Sequence, residues 1–166
     1  MEAVDVKKKL IELLRSFDTV MVTTHATDNT TLHARPMAIA EVDDAGEVWF
    51  VTARESDKVD EGKVDRRAVV TGQASGKYVS VSGTIDLLVD RDRVRTLWKD
   101  SWKAWFPNGP DDPSIALWRL RPAIGEYWDN RSTGGVRYLF EVAKAMAKGE
   151  RADLDGGPKH HAKVPL

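Results

Sequence analysis

Ala68-Val69-Val70-Thr71-Gly72-Gln73-Ala74-Ser75-Gly76-Lys77-Tyr78-Val79-Ser80-Val81-Ser82-Gly83-Thr84-Ile85 is the stretch on which the fold turns. Two runs rich in β-branched and apolar residues, 68–72 and 78–85, are joined through Ser75-Gly76, a pair suited to a tight turn. A hairpin makes its strands antiparallel, since a parallel pair needs a crossover of about a dozen residues or more. The same stretch has the outline of a phosphate loop. However, only three residues separate Gly72 from Gly76 where that loop needs four, and Tyr78 stands where Ser or Thr would bind magnesium. The hairpin is the better reading.

Working outward, the neighbouring segments extend the same pattern. Val20-Met21-Val22-Thr23-Thr24 and Val48-Trp49-Phe50-Val51-Thr52 read as strands, and Leu32 to Val42 is extended but interrupted by Pro36, which fits a sheet edge or a bulge. Ile115-Ala116-Leu117-Trp118-Arg119-Leu120 and Gly125-Glu126-Tyr127-Trp128 supply two further strands, separated at Pro122. Helical spacing appears in Val6, Leu10, Leu13, Leu14 and Phe17, and again from about Asp92 to Phe106, where Val94, Leu97, Trp98, Trp102, Trp105 and Phe106 share a face. Ser56 is placed to cap a short helix, and Val136, Leu139, Phe140, Ala143 and Ala147 mark a closing one. The expected architecture is mainly β (α+β), a six- to seven-stranded antiparallel barrel with flanking helices. One domain is expected over residues 1–148, with a polar, loose tail over 149–166.

Composition bounds the function. The chain has 166 residues, 42% of them hydrophobic, with 25 Lys+Arg against 26 Asp+Glu. This balance lacks the basic excess of a non-specific nucleic-acid binder, and no run is long and apolar enough for a membrane-spanning helix. The absence of cysteine excludes disulfides, thiolate metal sites and thiol nucleophiles. Met1-Glu2-Ala3-Val4-Asp5 has no secretory character, so a cytoplasmic protein is expected. No metal site is expected either: His160-His161 lacks a third ligand at strand or helix spacing and reads as a solvent-exposed pair.

Three segments, in order, resemble one family. They are His33-Ala34-Arg35-Pro36-Met37-Ala38, then Phe50-Val51-Thr52-Ala53-Arg54-Glu55-Ser56-Asp57-Lys58, and then Pro122-Ala123-Ile124-Gly125-Glu126-Tyr127-Trp128-Asp129. The pattern resembles the pyridoxamine 5′-phosphate oxidase-like FMN-binding split barrels, within them the general stress protein 26 group, over residues 5–130. Independently of the resemblance, Thr52 at a strand end and Ser56 and Lys58 at a helix start read in two ways: an anion cradle of hydroxyls, a cation and free backbone N–H groups, or an N-capped helix with a solvated Lys58, which this segment alone favours. Arg35, between small residues on a strand that runs into Met37-Ala38-Ile39-Ala40, needs a polar partner if it points inward.

The resemblance implies a homodimer with flavin at the subunit interface, FMN first and FAD as an alternative. It implies that Arg35, Pro36 and Met37 line the flavin edge, that Val51 and Thr52 contact the ring and ribityl chain, and that Ser56 and Lys58 hold the phosphate. Tyr78 stands where the oxidases carry a flavin-contacting glutamine, and Trp128 would pack at the flavin from the opposite subunit. Two departures argue against oxidation of pyridoxamine 5′-phosphate. Trp128 is followed by Asp129-Asn130-Arg131-Ser132 instead of the oxidases' Arg-Leu-His-Asp-Arg type of run, and the segment 98–106 offers aromatics in place of a substrate-phosphate grip. The expectation is a stress-related flavin protein, either an oxidoreductase acting on a small planar substrate or a non-catalytic flavin store or sensor. A haem pocket using His25 or His33 is a third alternative. No catalytic acid or base is nominated.

Overall fold

Why the chain folds as it does is clearest at the N-terminal helix of the computed structural model, which describes residues 3–55, 63, 65–130, 146–147, 149 and 161–166. Helix α1 (Ala3–Arg15) buries Leu10 and Leu14 completely, with Val6, Ile11 and Leu13 beside them. Asp5 in its first turn and Arg15 in its last complement the helix dipole. Arg15 also ties the helix end to the sheet, its Nε donating to Val42 O at 2.9 Å.

The strands are β1 (Thr19–His25), β2 (Leu32–Ala38), β3 (Glu41–Val42), β4 (Val48–Ala53), β5 (Arg67–Ala74), β6 (Lys77–Leu88), β7 (Ile115–Asp129) and β8 (His161–Pro165). They form one sheet in the order β2-β1-β5-β6-β7-β4-β3, with β8 added on β7 and every pair antiparallel. The sheet curls into a half-barrel, the split barrel expected from the sequence. The hairpin at 74–77 forms as read, with Ser75 at φ 49° and Gly76 at φ 77°. Pro36 lies on β2, an end strand of the sheet, where its missing N–H costs no ladder bond.

Two boundaries differ from the sequence reading. Pro122 does not separate two strands: β7 runs through it for 15 residues, accommodating it at a bulge where the pairing with β6 shifts between Ser82 and Gly83. Gly83 is required there, because a Cβ would stand 1.9 Å from Arg121 O. The expected helix over 92–106 breaks into α2 (Arg91–Leu97) and a 3₁₀ turn (Asp100–Ala104), since Trp98 is extended at φ −53°, ψ 134°. Asp90 caps α2 by accepting from Arg93 N at 3.0 Å.

The expectation of a loose tail is corrected at its end. Residues 161–165 form β8 on Ile124–Trp128, Val164 enters the core, and Leu166 N donates to Ala123 O at 3.0 Å. The edge of β7 away from β6 is therefore shared, β4 taking residues 115–120 and β8 taking 124–128. The helix expected to start at Ser56 lies outside the described residues. So does the closing helix, apart from Met146 and Ala147, which are helical.

Two apolar clusters result. The larger fills the barrel from α1 to Trp118 and Tyr127. The smaller, with Trp49, Val94, Ile115 and Leu117 at its centre, lies between the outer face of β4 and β7 and the α2 region. Trp49 is held in place by its Nε1 donating to Asp43 Oδ2 at 3.3 Å and by the Arg93 guanidinium 4.5 Å from its ring centroid.

Candidate functional site

The end of β4 defines the site. Val51, Thr52 and Ala53 pair with Leu117, Ala116 and Ile115 of β7, and strand alternation places Thr52 on the inward face with Phe50. Thr52 is 2% exposed, an unusual setting for a hydroxyl residue. Opposite it stand Pro36, Met37 and Ala38 at the end of β2. Trp102, Trp105 and Phe106 form the third wall. Together these residues enclose an open cavity of about 450 Å³.

The aromatic wall is fastened to the barrel. Trp105 N and Phe106 N both donate to Trp102 O, at 3.0 and 2.9 Å. Trp98 meets Trp102 edge-on, with centroids 5.7 Å apart and planes at 89°. Lys99 Nζ donates to Ile39 O at 3.3 Å and lies 5.8 Å from the Trp102 ring centroid. Below it, the turn that launches β7 is held by Asp112, which accepts from Ser114 N at 2.9 Å and Ser114 Oγ at 2.7 Å. The Ser114 hydroxyl and amide hold the Asp112 carboxyl below its ordinary range. Arg54 N then donates to Ser114 O at 2.8 Å, joining this turn to the end of β4.

Among the described residues, no charged side chain lines the cavity, and Thr52 is the one lining residue with a hydroxyl, its Oγ1 donating to Ala53 O at 3.5 Å. Such a slot accepts the flat, apolar body of a ligand.

Of the residues nominated from the sequence, Pro36, Met37, Val51 and Thr52 meet at this cavity. Arg35 is half-buried on β2 opposite Val22, on the inward face of the barrel. Tyr78 and Trp128 pair across β6 and β7 and are not among the residues that line the cavity. Trp128 is twelve residues beyond Ala116, the partner of Thr52, or roughly 40 Å along the strand. One protomer therefore does not bring all the nominated residues together. Ser56 and Lys58 lie outside the described residues. His25, a haem-ligand candidate, has its Nε2 3.7 Å from Asp65 Oδ2. Among the described residues, no group of three or more His, Asp or Glu is placed to hold a metal ion, and no helix is long and apolar enough to cross a membrane.

Sequence reasoning missed His161. Expected to be a solvent-exposed residue of the tail, it lies on β8 with its ring stacked on Trp128, centroids 5.0 Å apart and planes at 12°, and its Nε2 is 2.7 Å from Glu126 Oε1. Ala38 and Ala53 were also missed as cavity wall, because an alanine carries no chemical signal of its own.

The chain is thus an antiparallel split barrel with an apolar slot between β2, β4 and an aromatic flap. Its relatives are specific. The family model for pyridoxamine 5′-phosphate oxidase-like proteins matches residues 5–153. Protein bli-3 of Neurospora crassa is 32% identical over 146 residues, covering 81% of this chain and 69% of that protein. A Jannaschia sp. CCS1 protein assigned to general stress protein 26 superposes with a TM-score of 0.73 at 27% identity, covering 98% of this chain and 99% of that one. A pyridoxamine 5′-phosphate oxidase-related, FMN binding protein from Nostoc punctiforme PCC 73102 shares the fold, with a TM-score of 0.52 at 16% identity over 78% of this chain and 81% of its own. The chain belongs to the pyridoxamine 5′-phosphate oxidase-like family.

Proposed function

We propose that this protein binds a flavin, FMN in first place and FAD as the alternative, and that it works as a homodimer with flavin at the subunit interface. The observation that carries the reading is the cavity itself. Four residues nominated for flavin contact, Pro36, Met37, Val51 and Thr52, converge on one apolar slot, where the Thr52 hydroxyl suits the polar edge of a planar ring. The FMN binding of the Nostoc relative supports the choice of cofactor.

Within this reading the chain's own groups divide the ligand. The backbone of Pro36 and Met37 borders the ring, Val51 packs on it, and the Thr52 hydroxyl reaches the ribityl chain. Ser56 and Lys58 take the phosphate, for which a lysine cation and a hydroxyl form charge-assisted and neutral hydrogen bonds respectively. The absence of Tyr78 and Trp128 from the cavity lining supports a dimer in which a second copy supplies them. Trp102, Trp105 and Phe106 exclude water from the ring. When bound, the flavin supplies hydride or electron transfer, and the protein supplies position and surroundings. The substrate of an oxidoreductase built this way is small and planar, and it is not pyridoxamine 5′-phosphate, whose own phosphate finds no grip in the aromatic segment 98–106.

The test is a visible absorption spectrum of the purified protein before and after adding FMN and removing the excess. Retained flavin, stoichiometric with the chain and quenched in fluorescence, is the expected result. A dimer that retains none refutes the reading. Bleaching of the bound flavin by NADH or NADPH faster than free FMN then separates a reductase from a store or sensor.

A further inference from the structure

The reading above leaves the C-terminal strand without a task, yet β8 ends on one of the nominated flavin residues. From its far end inward, Leu166 and Val164 anchor the strand in the core, and the register places His161 directly opposite Trp128. The imidazole lies nearly parallel to the indole, 5.0 Å between centroids and 12° between planes. Glu126, two residues before Trp128 on the same face of β7, fixes the imidazole from the side through the 2.7 Å contact to Nε2. Tyr78 on β6 is the opposite neighbour of Trp128 in the same cross-strand row. The indole is thus stacked on the β8 side by the imidazole, while remaining half-buried.

Anchoring a strand needs only Val164 and Leu166. A ring stacked on Trp128 and itself held by a carboxylate does something more: it limits the indole to one orientation. We infer that His161 is a positioning residue for Trp128, and that β8 is a working part of the flavin site and not only a seal on the sheet edge. This inference rests on the flavin reading, in which Trp128 packs on the flavin of the other subunit. A ligand then meets an indole already set in place, so less rotamer freedom is lost on binding.

The test compares His161→Phe, which keeps a flat ring, with His161→Leu, which keeps the bulk and loses it. FMN affinity is read by titration of flavin fluorescence, and indole orientation by near-ultraviolet circular dichroism of the flavin-free protein. H161L is expected to bind FMN about three- to tenfold more weakly, the range of one aromatic pair, and to lose the part of the tryptophan dichroism that Trp128 supplies. H161F is expected to bind within about twofold of the wild type and to retain the dichroism. H161L matching the wild type in both readouts overturns the proposal. So does H161F being as weak as H161L, which would make the ring irrelevant. If the wild type itself binds no FMN, the flavin reading fails, and the dichroism of the two variants alone decides whether His161 sets the indole.

Discussion

Trp102 and Trp105 line the same cavity, yet they should fail in opposite ways when truncated. Trp102 is 7% exposed and packs on Trp98, whereas Trp105 is 72% exposed. A tryptophan side chain buries up to roughly 250 Å², and at about 25 cal/mol per Å² complete burial is worth up to about 6 kcal/mol. Compactness of the unfolded chain lowers that figure by up to about 40%, leaving about 4 kcal/mol for Trp102. One side of its ring already faces the cavity, so Trp102→Ala should cost about 3–4 kcal/mol, toward the lower part of the range for such changes. Trp105→Ala removes a mostly solvated ring and should cost about 1 kcal/mol or less. Urea unfolding measures both, read as a shift in midpoint at constant slope. FMN titration should then show W105A weakened about tenfold in a protein of nearly full stability, the loss of one stacked aromatic wall. Equal destabilisation by the two variants would refute the account of the flap. W105A binding flavin like the wild type would remove Trp105 from the site.

Further expectations concern the barrel and the phosphate. Gly83→Ala drives a Cβ to within 1.9 Å of Arg121 O at the bulge; a loss of about 3 kcal/mol or failure to fold is expected, with denaturant unfolding as the measure. Lys58→Ala should weaken FMN about tenfold or more while leaving riboflavin nearly unchanged, because only FMN carries a phosphate; titration of both ligands reads the difference. The Asp112 carboxyl is held below the ordinary aspartate range by the hydrogen bonds from Ser114. Its contribution to stability is therefore fully present above that range and is lost as pH falls through the lower folded-state pKa. Urea midpoints between pH 6 and about pH 2.5 should fall less steeply in Asp112→Asn than in the wild type.

The barrel was legible because strand alternation, the hairpin residues at 75–76 and the apolar face of α1 all agree locally. Val22, Phe50 and Val81 alternate with less buried neighbours as a half-barrel requires, and each is fully buried. The cavity was legible to the extent that its residues sit at strand ends, Pro36 and Met37 near the end of β2 and Val51 and Thr52 near the end of β4. What escaped depended on tertiary partners. Trp98 breaks the helix that its own spacing favours because the extended residue lets its ring meet Trp102 edge-on. Pro122 reads as a strand end in isolation, and only the space left by Gly83 on the neighbouring strand lets β7 continue. His161 carries no local signal of its role, since the partners that define it, Trp128 and Glu126, lie more than thirty residues earlier.

Gly125 has a consequence for the order in which the molecule assembles. A Cβ there would lie 2.1 Å from Leu10 Cδ2 and 2.8 Å from Leu166 Cδ1, so the helix that opens the fold and the strand that closes it converge on one position. During synthesis on a ribosome, α1 emerges with its apolar face uncovered, and its partners on β7 follow more than a hundred residues later. The last of that face is sealed only when Val164 and Leu166 arrive. Nascent chains of this protein therefore carry an open hydrophobic seam for most of their elongation, a topology that folds slowly and exposes the intermediate to aggregation. A chaperone that shields α1 until β8 has docked would raise the yield of native protein far more than one acting on the central hairpin, whose strands find each other at once.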